Sequence, residues 1–332
     1  MLRPRTALVL AAGLVAAPTA WGQAPLPRYD HVVVVIEENH SYNEVIGSPN
    51  APYINSLAQQ GASFTNSHGV EHPSLPNYLD LFSGSNQGVT SDTNPTSPFS
   101  TPNLGASLLG AGLSFGSYSE DLPAVGSTVA FANGQNYARK HNPAVDWQPT
   151  DPSNPQANAV PASANMPFQG FFPTDFTKLP TVSFVVPNQS NDMHGVSPFP
   201  PDSQLIQTGD TWLQTNLDAY AQWAKTHNSL LVVTWDEDDF TPVNQVATIF
   251  SGQGVVPGQY ADNINHYNVL RTLEEMYGLP YAGGSADTQA IRDAFGLGAA
   301  VPEPSSLGLL GLGMTFGLGL LARRRLLRRR AA

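Results

Sequence analysis

Three near-continuous apolar runs stand out along the chain: His31–Ile36 (HVVVVI), Thr181–Val186 (TVSFVV) and Leu230–Thr234 (LLVVT). Val246–Phe250 (VATIF) forms a fourth and Ser114–Tyr118 a fifth. Runs that stay apolar at successive positions predict strands buried on both faces, the habit of a parallel sheet. Between them the apolar period changes. Trp212, Leu213, Leu217, Tyr220 and Trp223 fall at helical spacing within Asp210–Thr226. Tyr53–Gln60 predicts a helix with Gly61 as its C-cap, and His266–Tyr277 another, stopped by Gly278. Buried strands alternating with helices predict an α/β fold, a three-layer αβα sandwich around a mainly parallel central sheet. Gln87–Pro102 and Asn142–Pro167 are rich in Pro, Ser, Asn and Ala and read as long loops decorating one end of the sheet.

The ends follow different rules. Arg3 and Arg5 precede an apolar run from Ala7 to Ala17, and Gly22-Gln23-Ala24 is a small-x-small exit. A basic start, a short apolar stretch and small residues at the cut describe a secretory signal peptide over residues 1–24, too short and wrongly flanked for a membrane helix. Residues 25–300 remain as one catalytic-sized domain. Residues 301–332 begin with Val301-Pro302-Glu303-Pro304, continue with an apolar, Gly-rich run from Leu307 to Ala322, and carry arginines at 323–325 and 328–330. Arginines beyond an apolar segment stay cytoplasmic. This order resembles the PEP-CTERM sorting tail of Gram-negative bacteria. The resemblance implies transient inner-membrane anchoring, processing by an exosortase-type enzyme after signal peptidase has acted, and a secreted or cell-surface product. An ordinary single-pass anchor is the alternative.

Setting both ends aside changes the charge. The whole chain carries −11, but residues 25–300 hold 7 basic and 25 acidic side chains, a net −18. So acidic a surface repels nucleic-acid backbones and suits cation binding. There is no cysteine, which excludes thiolate metal sites and thiol catalysis; a core of this length needs no disulfide staples.

The candidate chemistry collects where strands end. The first strand runs into Glu37-Glu38-Asn39-His40, the second into Pro187-Asn188 and then Asn191-Asp192-Met193-His194, the third into Trp235-Asp236-Glu237-Asp238-Asp239. In open α/β sheets ligands bind at the carboxyl edge. Carboxylates converging there repel one another unless a cation sits among them. Each piece alone has a plainer meaning: a solvated acidic loop, a structural histidine, a turn. Repetition after three buried strands points to a divalent metal site. Oxygen ligands suit calcium, magnesium or manganese, and histidines suit zinc or iron.

A second group is His72-Pro73-Ser74-Leu75-Pro76-Asn77-Tyr78. Ser74 is placed to N-cap the following helix, with Pro76 in its first turn. A helix start also offers free N–H groups to a phosphate. A serine there, set against a metal, is a candidate nucleophile for phosphorus, and Asn77 a candidate amide donor to a phosphoryl oxygen.

These blocks, with Lys140-His141-Asn142-Pro143 and His266-Tyr267, resemble the bacterial phosphoesterase family that groups acid phosphatases with phospholipase C enzymes, of alkaline-phosphatase-like fold. They run in family order across nearly the whole core. The resemblance implies that Glu38, Asn39, Asp236 and Glu237 are metal ligands and that Ser74 is the nucleophile and also reaches the metal. It implies that His141, Asp192, His194 and His266 line the pocket, where they hold phosphoryl oxygens, protonate the leaving group or bind a second metal; His194 and His141 are the candidates for the acid. The expected substrate is a small phosphate ester. The expected activity is phosphomonoester hydrolysis through a phosphoserine, because the short core favours the phosphatase branch. A phosphodiesterase or phospholipase C on the same site is the nearest alternative, and a non-catalytic surface or matrix protein a more distant one. A calcium module on Asp236–Asp239 lacks the regular spacing and central glycine of a calcium loop.

Overall fold

The computed structural model of the chain describes residues 24–297. The expected signal peptide up to residue 23 and the expected sorting tail from residue 301 lie outside the described residues. Among the described residues no helix is long and apolar enough to cross a membrane.

In chain order the first half holds β1 (His31–Glu37), α1 (Tyr42–Val45), α2 (Pro52–Gln60), β2 (Ala62–His68), α3 (Ser74–Ser83), α4 (Leu104–Gly110), β3 (Phe115–Ser119), and the small hairpin β4 (Phe131–Ala132) with β5 (Tyr137–Ala138). The second half holds β6 (Asn165–Pro167), β7 (Val182–Val186), α5 (Asp202–Ala224), β8 (Ser229–Trp235), β9 (Gln245–Gly252), β10 (Gly258–Tyr260), β11 (Ile264–Asn265) and α6 (His266–Tyr277). The main sheet runs β10-β2-β9-β8-β1-β7-β3-β6, with β11 also pairing β2. Every pairing is parallel except the two made by β9. The three apolar runs followed by acids and amides are thus three adjacent parallel strands, β8-β1-β7, with β1 in register against both neighbours.

Alternation sorts their side chains into two cores. Val32, Val34 and Ile36 join Leu75, Tyr78, Phe82, Leu270 and Leu273 on the α3/α4/α6 face. Val33 and Val35 join Ile54, Leu57, Leu213, Leu217 and Tyr220 on the α2/α5 face. A strand apolar at every position is what a sheet covered on both sides requires, and the layers are the expected αβα sandwich.

Several local departures have identifiable causes. β2 (ASFTNSH) escapes the apolar pattern because its polar residues pair across the sheet: the Ser67 and Thr248 hydroxyls lie 2.8 Å apart. α5 starts at Asp202, eight residues before Asp210, since Leu205 and Ile206 extend its buried face. Asp210 starts no helix; its carboxylate accepts from the backbone N–H of Tyr53 at 3.2 Å and Ile54 at 2.8 Å, capping α2 from a distance. Gly61 ends α2 in extended backbone, φ −120°, rather than the left-handed C-cap form, and it is glycine because a Cβ there would meet the Phe250 carbonyl oxygen of β9 at 2.3 Å. The segment 142–167 is more than decoration. Trp147 is fully buried against Phe82 and Phe99, Val160 is buried with it, and Asn165–Pro167 forms the sheet's edge strand.

Candidate active site

Glu38 is the first residue beyond β1 and Asn39 takes a left-handed turn, φ 49°, a conformation asparagine tolerates better than most residues. Asp236 and Glu237 leave the end of β8 beside them, and the Asn39 N–H donates to Asp236 Oδ1 at 3.3 Å. Ser74 arrives from the far side as the first residue of α3. Its hydroxyl lies 3.1 Å from Glu38 Oε2 and 3.0 Å from Glu237 Oε1, so the one proton it has is shared between two buried carboxylates. The Asn39 amide closes the cluster, 3.0 Å from Glu38 Oε2 and 3.2 Å from Glu237 Oε1. Turned nitrogen-first, it donates to both. Turned oxygen-first, it adds one more oxygen to a group that shared protons or a bound cation would hold together.

The expectation that Ser74 N-caps α3 fails. Pro73 occupies the cap position, Ser74 is inside the helix, and its side chain makes no capping bond. Asn77 is likewise committed elsewhere. Its Oδ1 accepts from the N–H of Val70 and Glu71, at 2.9 and 3.0 Å, and its Nδ2 donates to the carbonyls of Glu71 and Pro73. All four bonds of that amide shape the turn that delivers Ser74, which leaves no N–H for a phosphoryl oxygen.

Glu38 also faces a nitrogen-rich group. His141 Nε2 lies 3.1 Å from Glu38 Oε1, and its Nδ1 lies 3.4 Å from Asp192 Oδ2. Neither contact is aligned as a hydrogen bond, so Glu38 Oε1, His141 Nε2 and Asp192 Oδ2 are all buried and unpaired, as is Asp236 Oδ2. Unpaired buried polar atoms are costly, and several at one place suit a site that takes up a ligand or ion. Glu38, His141 and His194 offer ligand atoms within 4.8 Å of one another, an arrangement able to hold a metal ion. His194 is half-buried, with Nδ1 2.7 Å from the Gly195 carbonyl and its backbone N–H on Asp192 Oδ1 at 2.8 Å. Between Asp192 and His194, Met193 sits in the left-handed region at φ 78°. Gly209 of α5 admits its side chain, since a Cβ there would come within 2.6 Å of Met193 Cγ. Strain of this kind collects where a loop must aim functional groups.

Electrostatics reinforces the cation reading. Burial, then the charge of Glu38, pushes Asp236 and Asp192 well above the carboxylate range, and the same causes raise Glu237 to about 7. Burial raises Glu38 as well. Such carboxylates hold protons that a divalent cation would displace. Burial, then Lys140, keeps His141 neutral. His266, the first residue of α6, is buried, lowered to about 4, and places Nε2 2.5 Å from the Asp236 carbonyl. It holds the backbone of the loop that carries Asp236 and Glu237.

The acidic run Asp236–Asp239 divides. Asp236 and Glu237 enter the site. Asp238 is buried but accepts from the Thr241 backbone and hydroxyl, and Asp239 is exposed. Two further residues of the motifs, to which the sequence assigns no role, also take part. His72 bonds Glu237 Oε2 through Nδ1 and the Thr241 carbonyl through Nε2, with its ring stacked on Phe240 at 5.0 Å. Lys140 places Nζ 3.4 Å from His194 Nε2. Their positions inside blocks otherwise filled with site residues were the available signal.

A sequence profile of the phosphoesterase family matches residues 48–280. A phosphatidylinositol-3-phosphatase of Mycobacterium tuberculosis is 48% identical over 295 residues, 87% of this chain and 92% of that protein. A probable acid phosphatase of Kluyveromyces lactis is 27% identical over 75% of this chain, which spans only 58% of that longer protein. Among solved structures, a member of the alkaline phosphatase superfamily from Vibrio parahaemolyticus superposes with a TM-score of 0.54 at 14% identity, over 85% of this chain and 77% of that one. That likeness establishes the fold.

Proposed function

The chain belongs to the phosphoesterase family, enzymes that hydrolyse phosphate esters, and from that premise we propose that it is an exported, metal-dependent phosphomonoesterase working through a phosphoserine on Ser74. One observation carries the proposal: the Ser74 hydroxyl, in the first turn of a helix, is held between two buried carboxylates beside an amide and further unpaired oxygens. Glu38, Asn39, Asp236, Glu237 and Ser74 would hold a divalent cation there, with His141 and His194 available on the other side of Glu38. Such a cation supplies charge neutralisation for the phosphoryl oxygens and a lower pKa for the serine hydroxyl.

The protein's own groups account for the rest. Ser74 sheds its proton to solvent, and Oγ forms a bond to phosphorus as the bond to the leaving oxygen breaks. His194, at the half-buried margin, protonates the departing alkoxide from Nε2. Its Nδ1–H stays on the Gly195 carbonyl, which fixes the ring's direction. The neutral ring then takes a proton from water, whose oxygen displaces Ser74 from phosphorus, and Ser74 regains a proton from solvent. One ester and one water become one alcohol and one phosphate. Positioning and charge neutralisation supply most of the rate.

Monoesters are the favoured class because the matched relatives are named as phosphatases, and the mycobacterial relative's name makes a phosphoinositide a substrate to try. Export rests on the terminal motifs: signal peptidase and an exosortase-type enzyme would trim the chain and release it at or beyond the cell surface of a Gram-negative bacterium. Purified protein loaded in turn with calcium, magnesium, manganese, zinc or iron should hydrolyse an aryl phosphate faster than a phosphocholine diester. Acid quenching during turnover should trap phosphate on Ser74. A diester preference would transfer the proposal to a phospholipase C or other phosphodiesterase, and no hydrolysis with any of these metals would overturn it. Terminal sequencing of the exported protein tests the processing.

A further inference from the structure

The site described so far is rich in anions. Glu38, Asp192, Asp236 and Glu237 surround the place where a phosphate, itself an anion, must come. Among the described residues most of the other basic side chains are engaged elsewhere: Arg139 with Asp146, Lys178 with Asp175, Arg271 and Arg292 with Glu275. Lys140 is different. It enters on the short turn Arg139–His141, one residue before His141, and its side chain is only 12% exposed. Its Nζ lies 3.4 Å from His194 Nε2. His194 Nδ1 faces the Gly195 carbonyl, so Nε2 is the ring nitrogen turned toward Lys140.

The other partner of Lys140 is more telling. Nζ donates to Asp92 Oδ2 at 2.7 Å, and Asp92 Oδ1 accepts from the Leu75 backbone N–H at 3.1 Å. Leu75 follows Ser74 in the first turn of α3. One carboxylate therefore bridges a helix-start amide beside the nucleophile and a half-enclosed ammonium. A phosphoryl oxygen seeks the same two donors. The contacts close a ring: Ser74 to Glu38, Glu38 past His141 to His194, His194 to Lys140, Lys140 to Asp92, and Asp92 back to the residue after Ser74. Asp92 belongs to the irregular 87–102 segment and is 36% exposed, so it is the member of the ring able to swing into solvent.

We infer that Lys140 is the side chain that grips the transferring phosphoryl group, and that Asp92 is the carboxylate it holds until the substrate displaces it. A phosphate monoester carries more charge and one more terminal oxygen than a carboxylate, so it competes for the same donors on favourable terms. The ion pair with the Asp92 carboxylate compensates the charge Lys140 carries in this enclosed place. The inference rests on the phosphoesterase reading of the Ser74 site, and adds to it a substrate-binding residue and its counter-ion.

The test uses the metal-loaded full chain, with inorganic phosphate as the probe. Its binding is measured by calorimetry and by inhibition of aryl phosphate hydrolysis. Metal content and melting temperature are recorded for each variant. Lys140→Met should weaken phosphate binding about tenfold or more and lower kcat/KM by about a hundredfold, the scale of losing one charged donor to a developing oxyanion. Its metal content should stay that of the wild type, and Lys140→Arg should recover part of both losses. Asp92→Asn should bind phosphate more tightly than the wild type, since a neutral amide competes less well for Lys140. Lys140→Met that binds phosphate as the wild type does would overturn the inference. So would a variant that weakens binding only by losing metal, or an Asp92→Asn that loses phosphate as Lys140→Met does, which would make Asp92 a fixed anchor. A wild type that hydrolyses no phosphate ester but still binds phosphate through Lys140 would instead bring down the reading of the whole site and leave the contact standing.

Discussion

Two helices, α3 and α6, begin at the candidate site, and they begin differently. α6 is closed by its own sequence: the Asn265 side chain accepts from the Tyr267 N–H, and Asn268 reaches back to the Asn265 N–H. α3 has proline at the cap position, no capping side chain of its own, and a serine in its first turn whose hydroxyl is turned away to two carboxylates. Its Leu75 N–H is met by Asp92 from a distant loop. A helix start satisfied by its own cap is a structural joint, whereas one that spends no local side chain on its free N–H groups keeps them for a ligand. The residues at the two starts accordingly have different partners: Ser74 turns to Glu38 and Glu237, and His266 props the Asp236 carbonyl.

The largest expected effect separates these roles outright. Ser74→Ala should lower turnover at least about a thousandfold, as loss of a nucleophile does in other hydrolases, with an unchanged melting temperature because no cap is lost. Retention of wild-type rates on an aryl phosphate would remove Ser74 as nucleophile.

Next comes the ligand loop between the two helices. Dialysis against a chelator should abolish activity, and re-addition of a divalent metal should restore it. Asp236→Asn should weaken metal binding by about ten- to a hundredfold or more when followed by direct titration, the range seen for weakened metal shells. Loading should release protons near neutral pH, because Glu237 is raised to about 7. Activity that survives chelation intact would end the metal assignment.

Asn77→Ala should act through structure, costing on the order of 1–3 kcal/mol because four backbone groups lose their partner. Its activity should fall in kcat more than in KM, since Ser74 is displaced while no substrate contact is lost. A pure rise in KM would return Asn77 to the role of phosphate donor.

Asp80 ties α3 to α6 through Tyr267, whose hydroxyl donates to it at 2.9 Å. Burial pushes Asp80 up to about 8, against an ordinary value near 4. The folded protein therefore holds a proton that the unfolded chain releases. The stability linked to that proton is complete below about pH 4 and is lost as pH rises through about 8. Wild type should lose stability between pH 5 and 9 on the order of 1 kcal/mol or more relative to Asp80→Asn, seen in denaturant midpoints. Parallel pH profiles would show that Asp80 is already ionised.

The smallest effect is at the closed joint. Asn265→Ala should cost about 1 kcal/mol of stability, as other N-cap deletions do, while kcat/KM stays within a factor of a few. A large loss of activity would mean that α6 is no mere prop.

Much of this was legible in the residues. The apolar runs marked β1, β7 and β8, and their carboxyl ends marked Glu38, Asp192 and Asp236, because burial on both faces forces near-continuous apolarity and the parallel edge gathers the residues next in the chain. β2 was hidden, since hydroxyls paired across the sheet look like loop chemistry in one dimension. The start of α5 was misplaced at Asp210 because a carboxylate that caps another helix looks the same as one that begins its own. Ser74 and Asn77 were recognised as residues of the site, but serine and asparagine each bond in several ways, and which one is used depends on neighbours far along the chain.

The local pattern by itself determined the layers, the orientation of the main strands, the edge where polar groups collect and the export signals expected at the ends. Those properties follow from hydrophobic periodicity and short motifs, which act over a few residues. Only the tertiary structure decided how side chains share their bonds. It turned Ser74 from cap to shared hydroxyl, filled every valence of Asn77, separated Asp236 and Glu237 from Asp238 and Asp239, and set Lys140 between His194 and Asp92. Hydrogen bonds and charges join residues distant in sequence, and a buried polar atom takes its role from whichever partner the fold brings within about 3 Å.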